Sequence, residues 1–166
     1  METPTPLLVI GYGNLDRQDD GVAWHVLSKT AQALGIEFPV EPGESVCADD
    51  GRVEFIFQLQ LTPELAETIA ARKAVFFVDA HTGNIPVEMQ LIQISAGFQK
   101  SPFTHHMTPE TALSMAETVF HRAPEAFLCS VRGYEFLFST SLSERTSQLA
   151  EEAAGQLTQK LLNYIA

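Results

Sequence analysis

The stretch that decides the fold is LLVIGYGNLDRQDDGV, at residues 7–22. It begins with the apolar run Leu7 to Ile10, which is typical of a buried strand. Gly11 and Gly13 follow and permit backbone conformations that other residues avoid. A helical pattern of apolar residues then starts near Asp19 or Asp20 and ends at residue 35, a glycine suited to the end of a helix. The stretch therefore predicts a strand, a glycine turn that breaks it, and a helix.

Acidic residues occupy the turn after this first strand, and a second apolar run ends in the same way. Asp16, Asp19 and Asp20 lie in the turn, and the run from Ala74 closes on Asp79. Ligands of open α/β sheets usually bind at the carboxyl ends of the strands. His105 lies in a loop just before a further predicted helix. We therefore expect Asp20, Asp79 and His105 to converge at one edge of the sheet.

Two carboxylates and an imidazole suit a divalent first-row metal such as nickel, zinc, manganese or iron. The spacing of the three residues does not identify the metal. Each residue also has a purely structural interpretation: Asp20 as a helix cap, Asp79 as an acceptor in a turn, and His105 or His106 as solvated loop residues. The residues alone therefore leave a metal site and a structural role both open.

The rest of the chain predicts one domain, residues 1–166, in which strands alternate with helices. This pattern is typical of a three-layer α/β/α sandwich with a twisted, mostly parallel but mixed sheet of about five strands. Strands are predicted at residues 36–40, 53–58, 74–79, 87–94 and 126–131, the last continuing to residue 138 through a glycine, and a loop at 42–51. Helices are predicted to begin at Thr62, at Thr108 and at a capping box over residues 141–144, with 113, 115, 116, 119 and 120 on the core side of the second.

Charge and motifs exclude several functions. A net charge of −11 argues against nucleic acid and against an anionic membrane surface. Asp16 replaces the third glycine of a dinucleotide fingerprint, and acidic residues would repel a pyrophosphate. No apolar run is long enough for a membrane span, and no signal-peptide pattern is present, so a cytoplasmic protein is expected. Cys47 and Cys129 are predicted to be buried thiols.

At this point the motifs resemble those of a known family, the hydrogenase maturation proteases. Residues 11–21, GYGNLDRQDDG, resemble the family's G-x-G-N-x(4)-D-(D/E)-G signature. Residues 75–80, VFFVDA, are similar to its apolar strand ending in Asp-Ala, and Thr104-His105 to its histidine loop. Residues 130–133 and the helix after Leu142 resemble its closing strand and last helix. These enzymes are endopeptidases that trim the C-terminus of the large subunit of nickel–iron hydrogenases.

The resemblance implies a function and a set of site residues. Asp20, Asp79 and His105 would be both the metal contacts and the catalytic residues, with His106 as the alternative to His105. They would recognise nickel already inserted in the large-subunit precursor, so the substrate supplies the metal and no organic cofactor is expected. Asp19 would orient the loop or assist as a base. The expected partner is the precursor alone, with no nucleic acid or membrane, and the protein is expected to be a monomer.

Two other functions are compatible with parts of this pattern. A non-catalytic nickel-sensing chaperone or checkpoint module for hydrogenase assembly would use the same three residues, so the sequence does not separate it from a protease. A different hydrolase of similar architecture, acting on peptidyl-tRNA, would need a basic binding face, which the acidic charge disfavours.

Overall fold

The computed structural model of the chain describes residues 5–38, 44–48, 50–97 and 107–165. These form six strands and four helices, with a short 3-10 helix over Gln18–Gly21 before the first α-helix. The strands are β1 (Leu7–Tyr12), β2 (Ser45–Cys47), β3 (Val53–Gln58), β4 (Ala74–His81), β5 (Met89–Ile94) and β6 (Glu125–Arg132). The helices are α1 (Val22–Ala33), α2 (Leu65–Ala70), α3 (Pro109–Phe120) and α4 (Glu144–Ile165).

All six strands belong to one mixed sheet, in the order β2-β3-β1-β4-β6-β5. The four central strands are parallel to one another, and the two edge strands are antiparallel to their neighbours. The predicted α/β architecture with a mostly parallel, mixed sheet is confirmed, with six strands instead of about five. β2 was not predicted, because it lies in the segment predicted as a loop.

Helices cover both faces of the sheet, as the three-layer prediction requires. On one face, Val9, Phe55 and Phe76 pack with apolar residues of α1 and α4. On the other face, Ile10 and Phe77 pack with apolar residues of α2 and α3. Because β1 and β4 are buried on both sides along most of their length, their sequences are nearly continuous apolar runs.

Several predicted strand boundaries are wrong. β1 continues through Gly11 to Tyr12, so only Gly13 breaks the strand. β4 runs two residues past Asp79, and β5 begins at Met89 instead of residue 87. Ile36 to Phe38 form no strand, and residues 39–40 of that prediction lie outside the described residues. Residues 133–138 do not continue β6; they leave the sheet as a loop.

The helix starts show which capping predictions hold. Thr108 caps α3 as predicted, because its hydroxyl accepts a hydrogen bond from the backbone N–H of Thr111 at 3.2 Å. α2 begins at Leu65 after a turn, so the predicted start at Thr62 is wrong. Ser143 directly precedes α4, and its hydroxyl donates to Asp19. The last helix is therefore tied to the first turn of the chain.

Burial corrects a few further predictions. Cys129 is buried as predicted, and burial raises the pKa of its thiol to about 12. Cys47 is exposed on the edge strand β2, so its predicted burial is wrong. Val119 and Phe120 are exposed near the end of α3, although the helical pattern placed them on its core side. In the described part of the chain, no helix combines the length and apolar character of a membrane span.

Candidate functional site

The glycine turn after β1 places Asp20 beside the end of that strand. Gly13 has a φ of +148°, and a Cβ atom there would lie 2.1 Å from the backbone carbonyl oxygen of Asp20. Only glycine allows this close approach. The carboxylate of Asp20 accepts a hydrogen bond from the backbone N–H of Asn14 at 2.9 Å. Asp20 is not the residue that caps α1, since that position belongs to Gly21.

Asp79 lies near the end of β4, the strand that pairs with β1. The hydroxyl of Tyr12 donates a hydrogen bond to Asp79 Oδ2 at 2.8 Å. Asp79 Oδ1 is buried, and the hydroxyl of Ser130 also approaches this carboxylate. Burial raises the pKa of Asp79 to about 6, and the hydrogen bonds from Tyr12 and Ser130 oppose this shift only in part. The structure therefore holds the Asp79 carboxylate in place between these two hydroxyl groups.

Asp20 and Asp79 line the same cavity at the carboxyl edge of the sheet. The cavity has a volume of about 260 Å³. Its other walls are formed by Tyr12, Gly13, Leu59, Gln60, Leu61, Ala80 and Met107. The structure thus brings together two of the three predicted site residues. His105 and its alternative His106 lie outside the described residues, so their place at this site stays a prediction.

Asp19 is adjacent to Asp20 in sequence but has a different environment. It is fully buried and does not line the cavity. Its carboxylate accepts hydrogen bonds from the backbone N–H groups of Tyr134, Glu135 and Ser143 and from the hydroxyls of Ser143 and Thr146. Burial alone would raise the pKa of Asp19, but these hydrogen bonds outweigh burial and lower it. This environment fits an orienting role and leaves no oxygen free to act as a base.

The donor set of the cavity fits part of a metal site. Carboxylate oxygens are suitable ligands for divalent first-row cations, and Asp20 and Asp79 both line this cavity. Across residues 5–38, 44–48, 50–97 and 107–165, no three His, Cys, Asp or Glu side chains are grouped closely enough to hold a metal ion. Asp20 and Asp79 would therefore supply two ligands, and the others must come from elsewhere.

Tyr12 is a site residue that the sequence interpretation did not single out. Alternate residues of a strand point to the same face of the sheet. Gly11 pairs with Val78 in the parallel register, so Tyr12 and Asp79 follow side by side on the face covered by α2 and α3. Burial and the nearby Asp79 raise the pKa of Tyr12 well above its ordinary value, which keeps its hydroxyl protonated as a donor. The alternation of side chains along β1 and β4, combined with the register of the two strands, could have predicted this contact.

The fold was compared with known proteins. No protein-family model and no curated protein matches the sequence. Among solved structures, the NiFe hydrogenase maturation protease HycI from Thermococcus kodakarensis KOD1 has a TM-score of 0.64 at 19% identity, over 95% of this chain and 92% of that one. The hydrogenase maturating endopeptidase HybD from E. coli has a TM-score of 0.65 at 18% identity, over 95% and 93%. This chain therefore has the fold of the hydrogenase maturation proteases, as the resemblance of its motifs had predicted.

Proposed function

We propose that this protein is an endopeptidase that removes the C-terminal extension of a nickel-loaded nickel–iron hydrogenase large-subunit precursor. The observation that carries the proposal is the pair Asp20 and Asp79 on one cavity at the carboxyl edge of the sheet. This pair occurs in the fold of the maturation proteases and within the two motifs that resemble theirs. Fold alone does not determine function, so the proposal depends on these residues.

In this proposal, Asp20, Asp79 and His105 bind the nickel that the precursor carries. Binding positions the peptide next to that metal at the mouth of the cavity. A divalent cation can polarise a peptide carbonyl or activate water for hydrolysis. Tyr12 positions the carboxylate of Asp79, and Asp19 fixes the turn that carries Asp20. The carboxylates would thus act only on a substrate that has already received its metal.

The proposed source of the metal predicts how the isolated protein behaves. Two carboxylates and one histidine at a cavity open to solvent bind nickel weakly, because the substrate must complete the coordination. We expect the purified protein to contain far less than one equivalent of nickel after dialysis, as measured by elemental analysis. Stoichiometric metal that resists a chelator would contradict this prediction and indicate a metallopeptidase with its own resident ion.

A conservative change at Tyr12 tests the orientation of Asp79. We expect Tyr12→Phe to slow precursor trimming about tenfold or more, because a hydrogen bond to a carboxylate is lost from the site. Trimming is followed on gels over time, and thermal unfolding shows whether the fold is retained. Tyr134→Phe removes a comparable hydroxyl from an exposed contact with Glu88 and serves as the control. Equal rates for the two variants would exclude the orienting role of Tyr12.

The function itself is tested by incubating the protein with purified precursor, with and without nickel. The proposal predicts a shortened product from the nickel-loaded precursor only. Stable binding of the loaded precursor without shortening would instead support the chaperone or checkpoint function. We also propose that the protein acts as a monomer and that it binds the precursor in the cytoplasm.

A further inference from the structure

Exposed apolar side chains occur in two loops at the edge of the sheet that holds the candidate site. Phe138 is 92% exposed, Leu137 is 70% exposed and Leu59 is 58% exposed. Leu59 directly follows β3, and the other two lie in the loop after β6, so all three belong to the carboxyl edge of the sheet. We call these three residues the apolar rim. Exposed apolar surface next to a binding cavity often marks a site of protein–protein interaction.

The part of the rim formed by Leu137 and Phe138 is held firmly beside the turn that carries Asp20. The backbone N–H of Leu137 donates to the side-chain oxygen of Gln18 at 3.2 Å. The backbone N–H of Gln18 donates to the carbonyl of Ser139 at 2.8 Å, and that of Ser139 donates to the carbonyl of Asp16 at 3.0 Å. The backbone that carries the two exposed side chains is therefore bonded to the turn that contains the predicted metal contact Asp20.

Asp19 anchors the start of the same loop. Its carboxylate binds the backbone N–H groups of Tyr134 and Glu135, which lie just before the exposed pair. A Cβ atom on Gly133 would lie 2.9 Å from the Cβ of Asp19 and 2.7 Å from the ring of Phe136, so the chain passes Asp19 closely. The loop is thus ordered before any partner binds, which lowers the entropy that binding must cost.

Leu59 is the member of the rim that also lines the cavity. It lines the cavity together with Asp20 and Asp79 while more than half of its surface remains exposed. One member of the rim therefore borders the cavity, and the other two lie in the loop that is bonded to the turn carrying Asp20. Any macromolecule that delivers a peptide to both carboxylates must cover this edge of the sheet.

We propose that the apolar rim is the surface on which the body of the protein substrate docks. This inference rests on the proposed function and names the contact that the substrate makes outside the cavity. A cavity of about 260 Å³ holds only a few side chains, whereas specific protein complexes bury about 800 Å² on each partner. Aromatic and large apolar side chains in rigid positions are typical anchors of such contacts. The matching face of the precursor is accordingly apolar.

The test compares two pairs of adjacent apolar residues. One variant carries Leu137→Ser and Phe138→Ser in the rim. The control carries Val119→Ser and Phe120→Ser, which are 59% and 42% exposed at the end of α3. α3 starts beside Met107 of the cavity and ends before β6 begins, so the control pair lies toward the opposite edge of the sheet. Melting temperatures of both variants establish that they remain folded.

Affinity for nickel-loaded precursor is measured by calorimetry, and kcat and KM are measured by trimming. We expect the rim variant to weaken binding and raise KM at least about tenfold with kcat within about twofold, and the control to behave as wild type. Unchanged affinity and KM in the rim variant would overturn the inference. So would equal losses in the rim and control variants.

The same measurements separate this inference from the proposed function. A wild-type protein that binds the precursor through the rim but never shortens it would uphold the docking surface and refute the protease. If the wild-type protein trims the precursor and the rim substitutions leave KM unchanged, the protease function is supported and the docking surface is refuted. Light scattering tests the alternative that a second copy of this chain binds the rim. A wild-type dimer that the rim substitutions dissociate, with KM unchanged, would support that alternative and overturn the inference.

Discussion

Asp20→Asn and His105→Ala are each expected to abolish precursor trimming while leaving the protein folded. Removing a direct metal contact should lower the rate by roughly 100-fold or more, since even outer partners of metal ligands cost about 10–100-fold. Asn at position 20 keeps an oxygen that can accept the Asn14 N–H but loses the charge. Neither residue belongs to the apolar core pattern, so stability should change by about 0.5 kcal/mol or less.

The measurement is a gel assay of trimming combined with thermal unfolding of each variant. His106→Ala is the matched control, because it changes the histidine that is next in sequence. We expect it to trim at nearly the wild-type rate. If His106→Ala is inactive and His105→Ala is active, the histidine assignment moves by one residue. Wild-type rates in both Asp20→Asn and His105→Ala would refute the site.

Asp19→Ala is expected to have the largest effect on stability of any single acidic residue in the first turn. The substitution removes the common acceptor of donors from Tyr134, Glu135, Ser143 and Thr146. Buried donors left without a partner cost about 1–3 kcal/mol each, so we expect a loss of roughly 3 kcal/mol or more. For a chain of this size, such a loss lowers the melting temperature by roughly 6–12 °C.

Asp16→Ala is the control for this prediction, because Asp16 is exposed in the same turn. It should melt within about 2 °C of the wild type. The pH dependence gives an independent check. Folding lowers the pKa of Asp19 from its ordinary 3.8. The carboxylate therefore contributes fully to the free energy of unfolding above that pH, and this contribution is lost as the pH falls through the lower pKa of the folded protein. The gap between wild type and Asp19→Ala should therefore narrow in acid, and a constant gap would contradict the hydrogen-bonded carboxylate.

The sequence predicted the buried elements of the fold better than its edges. The runs that became β1 and β4 are apolar on both faces, which left few alternatives to a central strand. β2 has three residues, of which only Val46 packs against the core, so its sequence carried no comparable pattern. Residues 133–138 contain apolar residues that suggested a strand. They form a loop because Asp19 binds the backbone N–H groups at 134 and 135.

The candidate site shows a similar division. Periodicity and strand ends were enough to predict that Asp20 and Asp79 face one cavity. Asp19 is buried and hydrogen-bonded, whereas Asp20 lines the cavity. This difference depends on Ser143 and Thr146, which are more than 110 residues away in the sequence. No local pattern encodes contacts of that kind. Tyr12 could have been predicted from strand register, but only once the pairing of β1 with β4 was known.

The measurement that tests the central claim most directly is intact-mass spectrometry of nickel-loaded precursor after incubation with this protein. The account predicts one new species that lacks a single C-terminal segment, formed by wild type and not by Asp79→Asn. The released segment should appear as one peptide, because a single bond is cut. A precursor of unchanged mass, or cleavage that Asp79→Asn performs equally well, would contradict the account.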